Sequence, residues 1–189
     1  MAFLGIKIPE DIASKLKRID VLGKKEDDLH ITLFYFPDKL EIEDISKTIE
    51  AVLEISEETN PFEISISEIN CFSKGDSGVP IKLEVESPKL IKIRKNLAGL
   101  LDEKGVQYSQ KWPEFKPHIT LSYAEKAIKP IKFKPLKILI SELCFWAGDW
   151  GPTKMVCTFP LEIQIEKKSV LSKQIIKLAH LSSFFKILV

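Results

Sequence analysis

The chain has 189 residues, 44% of them hydrophobic and 29% charged, a balance that fits a folded globular protein and excludes disordered and fibrous classes. Its formal net charge of +1 provides no global field for nucleic acid, so stable duplex DNA binding is not expected and any phosphate affinity must be local. Arginine is limited to Arg18 and Arg94, so the cations are lysines, which meet phosphate as point charges without a bidentate fork.

In chain order, the opening "AFLGIKI" (2–8) predicts a strand and "EDIASKLKRID" (10–20) a helix. The segment "MAFLGIKIPEDI" has no basic n-region and too short an apolar run for a signal peptide. No stretch reaches the ~18 uncharged apolar residues of a membrane span, so a cytoplasmic protein is expected. A strand at 29–36 ("LHITLFYF") is followed by a helix at 41–57, a strand at 62–73 ("FEISISEINCFS") and a strand at 79–86 ("VPIKLEVE"). The next helix, 88–104, has Ser87 as its N-cap and Pro88 at its first position, and stops near Gly105. Strands then follow at 117–124, 136–147 ("LKILISELCFWA") and 153–163. Cys71, Cys144 and Cys157 show no metal or redox spacing and read as buried thiols of a reducing compartment. Beyond Lys168 a basic, apolar helix is expected, with Leu171, Ile175, Leu178, Leu181 and Phe185 near one stripe and His180 structural. This extension (164–189) is expected to pack on the domain, to dimerise or to lie on a membrane surface.

Two phrases recur. His30-Ile31-Thr32-Leu33 is repeated as His118-Ile119-Thr120-Leu121, and two of the chain's three histidines head these tetrads. "ISEINCFSKGDSG" (66–78) also matches "ISELCFWAGDWG" (140–151), where Gly75–Gly78 and Gly148–Gly151 read as hairpin turns. The order strand, helix, His-x-Thr strand, strand, Gly-Asp-x-Gly turn therefore occurs twice. It predicts a domain over 1–163 of two pseudo-repeats, about 1–78 and 79–163, with a pseudo-two-fold α+β fold and two antiparallel-rich sheets.

Alternation along a strand puts His30, Thr32 and Phe34 on one face, and His118, Thr120 and Ser122 on one face of the second copy. By the same count Tyr35 and Tyr123 face the core. If the two faces oppose each other, a cleft holds two imidazoles and two hydroxyls, which suits a phosphodiester. One neutral histidine accepts a proton from the attacking oxygen, the other donates one to the leaving oxygen, and the threonines donate to the non-bridging oxygens. An unperturbed pKa near ~6.5 makes both histidine states accessible at neutral pH. No residue cluster calls for a metal or a cofactor.

With both H-x-[ST]-h motifs present, the chain resembles the two-histidine (2H) phosphoesterase superfamily over roughly residues 1–163. The resemblance implies a bilobal fold with the motifs lining a central groove, flanking helices, and metal-independent cleavage of a 2′,3′-cyclic phosphate or 2′,5′-phosphodiester. His30 and His118 would be the acid and base, in an order the sequence leaves open, and Thr32 and Thr120 would hold the phosphate. RNA ends, oligonucleotides or cyclic nucleotides would be the substrates. Around the groove the expected substrate contacts are Phe34 and Ser122, the ring of Trp112 as a base platform worth ~1–3 kcal/mol, and Phe115 and Lys116, with Lys111 beside them; Trp150 sits at a hairpin tip. Two alternatives stay open: hydrolysis of cyclic or 2′,5′-oligonucleotide immune signals in defence or viral counter-defence, and a nucleotide-binding module without turnover.

Overall fold

A computed structural model describes residues 2–37, 40–111, 114–147 and 154–162. The elements run β1 (Ala2–Lys7), α1 (Glu10–Leu16), β2 (Lys24–Lys25), β3 (His30–Phe36), α2 (Ile42–Glu57), β4 (Phe62–Cys71), β5 (Val79–Glu86), α3 (Pro88–Glu103), β6 (His118–Ala124), β7 (Ile131–Ile140), β8 (Glu142–Ala147) and β9 (Lys154–Pro160). The expected C-terminal helix, Trp112, Trp150 and the second Gly-Asp-x-Gly turn lie outside the described residues.

The strands form the two antiparallel sheets of an α+β fold, a four-stranded sheet in the order β3-β1-β8-β9 and a five-stranded sheet in the order β2-β6-β5-β4-β7. Apart from the short β2, the two orders superimpose as β3 on β6, β1 on β5, β8 on β4 and β9 on β7. Neither sheet comes from one stretch of chain. β4, from the first half, pairs with β5 and β7, while β8, from the second half, pairs with β1 and β9. The expected single strand at 136–147 is two strands: β7 ends at Ile140, and the chain crosses at Ser141 into the other sheet. β7 also starts earlier, running through Pro135, because it is an edge strand whose ladder to β4 is interrupted there, and such a site tolerates a residue without an N–H.

Local chemistry sets the ends of these elements. The Ser87 hydroxyl accepts from the Leu90 N–H at 3.2 Å and caps α3. The helix closes in a Schellman motif, with Val106 N–H on Leu101 O (2.9 Å), Gly105 N–H on Asp102 O (3.1 Å), and Gly105 at φ +70°. The first Gly-Asp-x-Gly turn closes β4 onto β5 through reciprocal Gly75–Gly78 hydrogen bonds of 2.8 and 3.1 Å. The main apolar core joins inward residues of both sheets, among them Ile6, Ile31, Leu83 and Ile119, to Ile49 and Val52 of α2 and Leu97 and Leu101 of α3, while Phe3, Cys144 and Trp146 form a smaller cluster. β3 and β6, which carry the two tetrads, meet where the sheets adjoin. Among the described residues no helix is long and apolar enough to cross a membrane.

Candidate active site

One irregularity, repeated in both tetrad strands, decides what each presents. In the β1–β3 ladder Leu4 opposes Phe34 and Gly5 opposes Thr32, which leaves Leu33 as an extra residue. In the β5–β6 ladder Ile81 opposes Ser122 and Lys82 opposes Thr120, which leaves Leu121 extra in the same way. A β-bulge reverses the facing of everything after it. His30, Thr32 and Tyr35 are accordingly partly exposed while Ile31, Leu33, Phe34 and Phe36 are buried; β6 repeats the pattern with His118, Thr120 and Tyr123 against Ile119, Leu121, Ser122 and Ala124.

Strict alternation therefore misassigns four side chains. Phe34, expected on the groove face, lies in the core against the edge of Tyr108 (4.9 Å) and under the Arg94 guanidinium (4.6 Å). Ser122, expected beside Thr120, is fully buried and donates to Leu22 O at 2.6 Å, tying β6 to the loop before β2. Tyr35 and Tyr123 join the histidine face instead: Thr32 Oγ1 donates to the Tyr35 hydroxyl at 3.4 Å, and Tyr35 is near enough to act electrostatically on Tyr123. The two copies read "HITLFY" and "HITLSY", so the shared tyrosine was visible in the sequence as a further identity.

Both imidazoles are held alike. His30 Nδ1 lies 2.7 Å from Asp28 O, and His118 Nδ1 lies 2.7 Å from Lys116 O. A carbonyl only accepts, so Nδ1 carries the hydrogen in each ring and Nε2 is left to exchange a proton. Aromatic side chains fix the ring planes. His30 leans on Phe3 (4.8 Å), which stacks on Trp146 (4.6 Å), and Trp146 Nε1 donates to Asp28 Oδ2 at 3.0 Å. His118 meets the edge of Phe72 at 4.8 Å. Burial holds the His118 pKa below the ordinary 6.5; Lys82 and His30 push it the same way, against the Lys116 carbonyl and Glu84. His30 and His118 are thus within electrostatic reach of each other.

The remaining expected contacts divide. Lys116 contributes its carbonyl to His118, while its ammonium, 57% exposed, pairs with Glu114 at 3.0 Å. Phe115 packs on the core beneath Arg94 (5.1 Å), pinning the loop before β6. Lys111 is exposed, and its backbone N–H donates to Ser109 Oγ at 3.3 Å. Sequence reasoning missed Lys82 and Glu84, which stand on β5 opposite Thr120 and His118. Among the described residues no three His, Cys, Asp or Glu side chains gather as a metal site would require.

Two sheets carrying matched histidine–threonine strands, with each imidazole tethered through Nδ1, define a class of protein: a two-histidine phosphoesterase. The model of the 2′-5′ RNA ligase superfamily matches residues 9–150, and the chain belongs to that family. Solved structures share the fold. TT0787 of Thermus thermophilus is 18% identical, with 85% of this chain and 97% of that one covered and a TM-score of 0.71. E. coli LigT complexed with NADP+ is 20% identical (85% and 96% covered, TM-score 0.65), and LigT complexed with 3′-AMP is 18% identical (85% and 97% covered, TM-score 0.62). No curated protein sequence matches the chain.

Proposed function

We propose that the protein is a cytoplasmic, metal-independent phosphodiesterase that opens 2′,3′-cyclic phosphates or cleaves 2′,5′-phosphodiesters of RNA or oligonucleotides, with His30 and His118 as its acid–base pair. The observation that carries this reading is the matched tethering of both rings through Nδ1, which leaves two Nε2 atoms for proton transfer. His118, whose neutral form burial favours, suits the proton acceptor. Its Nε2 removes a proton from water, or from a ribose 3′-hydroxyl, as that oxygen bonds to phosphorus. The phosphorus–oxygen bond on the far side breaks, and the departing oxygen takes the proton from His30 Nε2. The hydroxyls of Thr32 and Thr120 donate to the non-bridging oxygens, where charge builds. The long Thr32–Tyr35 contact gives way readily to a phosphate oxygen.

A nucleotide-sized ligand agrees with the 3′-AMP and NADP+ complexes of E. coli LigT. Assignment to the cytoplasm agrees with the free thiols of Cys71, Cys144 and Cys157. The test is turnover in EDTA of 2′,3′-cyclic nucleotides, 2′,5′-oligoadenylate and cyclic oligonucleotides, with products read by mass. His30→Ala and His118→Ala should each lose ~10²-fold or more in kcat, and the parent should give a bell-shaped pH profile. Undiminished turnover in either variant would remove the acid–base pair.

A further inference from the structure

Among the described residues Lys82 is the only charged side chain that is buried, at 2% exposure. It lies in no structural corner. On β5 it stands opposite Thr120, and two residues on Glu84 stands opposite His118, so both share the face of the second tetrad. The ammonium forms a close ion pair with Glu84 and rests over the Phe72 ring (4.3 Å to its centre), the same ring that meets His118 edge-on. Glu84 is 35% exposed and is approached by Asn70 Nδ2 at 3.5 Å.

Stability does not explain this pair. A buried ion pair rarely outperforms apolar side chains of the same size, because desolvation offsets the attraction. The first half carries no such pair: by ladder position Gly5, opposite Thr32, answers to Lys82, and the partly exposed Lys7, opposite His30, answers to Glu84. The repeat is therefore unequal electrostatically, and the buried ion pair stands on one side, beside Thr120 and His118. This chain has almost no arginine, so a lysine sheltered from water is the cation best able to act there, since its field is little screened.

We propose that Lys82 is the positioning cation of the groove, drawing the substrate phosphate onto Thr120, and that Glu84 balances it so that His118 senses little net charge from β5. Lys82 has this role only if the groove takes a phosphate, as the phosphodiester reading holds. Among the described residues, the groups acting on His118 are Lys82 and Glu84 from β5 and His30 from β3; β4 adds the Glu68 carboxylate, which takes the Asn70 amide at 3.1 Å beside Glu84, together with the neutral Asn70, Phe72 follows β4, and in the preceding loop Lys116 is paired with Glu114.

The test uses the full chain with inorganic phosphate and 3′-AMP as probes in calorimetry, and the His118 ring resonance followed against pH. Lys82→Met should weaken phosphate binding ~10-fold or more and move the His118 midpoint to higher pH, because a depressing positive charge is gone. Glu84→Gln should move that midpoint to lower pH. In Lys82→Met/Glu84→Gln the midpoint should return toward the parent value while phosphate binding stays weak. Phosphate binding within about two-fold of the parent in Lys82→Met, or midpoint shifts of the same sign in the two single variants, would overturn the assignment. If Lys82→Met does not fold, the double variant, which leaves no lone charge, decides the binding question and Glu84→Gln the midpoint. A parent that turns over no phosphodiester would sink the functional reading alone, since phosphate binding and the ring resonance do not need turnover.

Discussion

His118 combines a tether, a ring contact and partial burial, and the three together give it a pH signature. Its folded pKa lies below the ordinary 6.5, so the unfolded chain binds the proton more readily. The resulting stability is fully present above pH 6.5 and is lost as pH falls through the lower folded value. Urea unfolding should show stability declining on the acid side by at most about 1.4 kcal/mol per pH unit from this one group. The decline should shrink in His118→Gln; an identical acid-side slope in that variant would show that other groups carry it. At this scale the shared facing of His30 with Thr32 and of His118 with Thr120 was legible, because identical tetrads are a signal no single strand gives. Phe34, Ser122, Tyr35 and Tyr123 were misread because one extra residue, Leu33 or Leu121, reverses the facing that alternation assumes. Lys82 was hidden for another reason: its importance comes from its cross-strand partner, and a ladder register is not written in either strand alone.

Among the elements, α3 was legible at both ends, since Ser87, Pro88 and Gly105 each have one dominant use at a helix terminus. Ser87→Ala should cost about 1 kcal/mol of unfolding free energy by removing the acceptor for Leu90 N–H. Thermal and urea unfolding would measure it, and because the Ser87 hydroxyl bonds the first turn of α3 itself, with Arg94 further along the helix left to hold Leu33 O, kcat should not change. The segment 136–147 was not legible, because a strand-like run interrupted only by Lys137, Ser141 and Glu142 carries no mark of a change of sheet. Only Ser141 separates the two strands, and what sends β8 to β1 is the vacant ladder edge that β1 offers. Gly5 shows how tight that region is: a Cβ there would lie 2.4 Å from Ile31 O, in the backbone beside Thr32.

For the whole molecule, the duplicated order of elements predicted two matched sheets and both are present, but their composition was not legible. β4 and β8 each leave their own repeat to complete the sheet of the other. Neither half then owns a finished sheet. Fragments 1–78 and 79–162 made separately should remain unfolded by circular dichroism and amide exchange, and should regain structure and groove only when mixed. A separately folded, cooperatively melting 1–78 would refute this.

The same exchange of strands bears on how the enzyme handles its reactants. Two lobes joined by a mere linker could swing like jaws, varying the span between imidazoles with every thermal excursion. Here the chain passes from one sheet to the other and back again, once through Ser141 alone between β7 and β8, and a shared apolar core packs both sheets, so the two histidine strands are tied by more than a linker. The span between the two histidine strands is therefore set by the weave of the chain and by the core both sheets share.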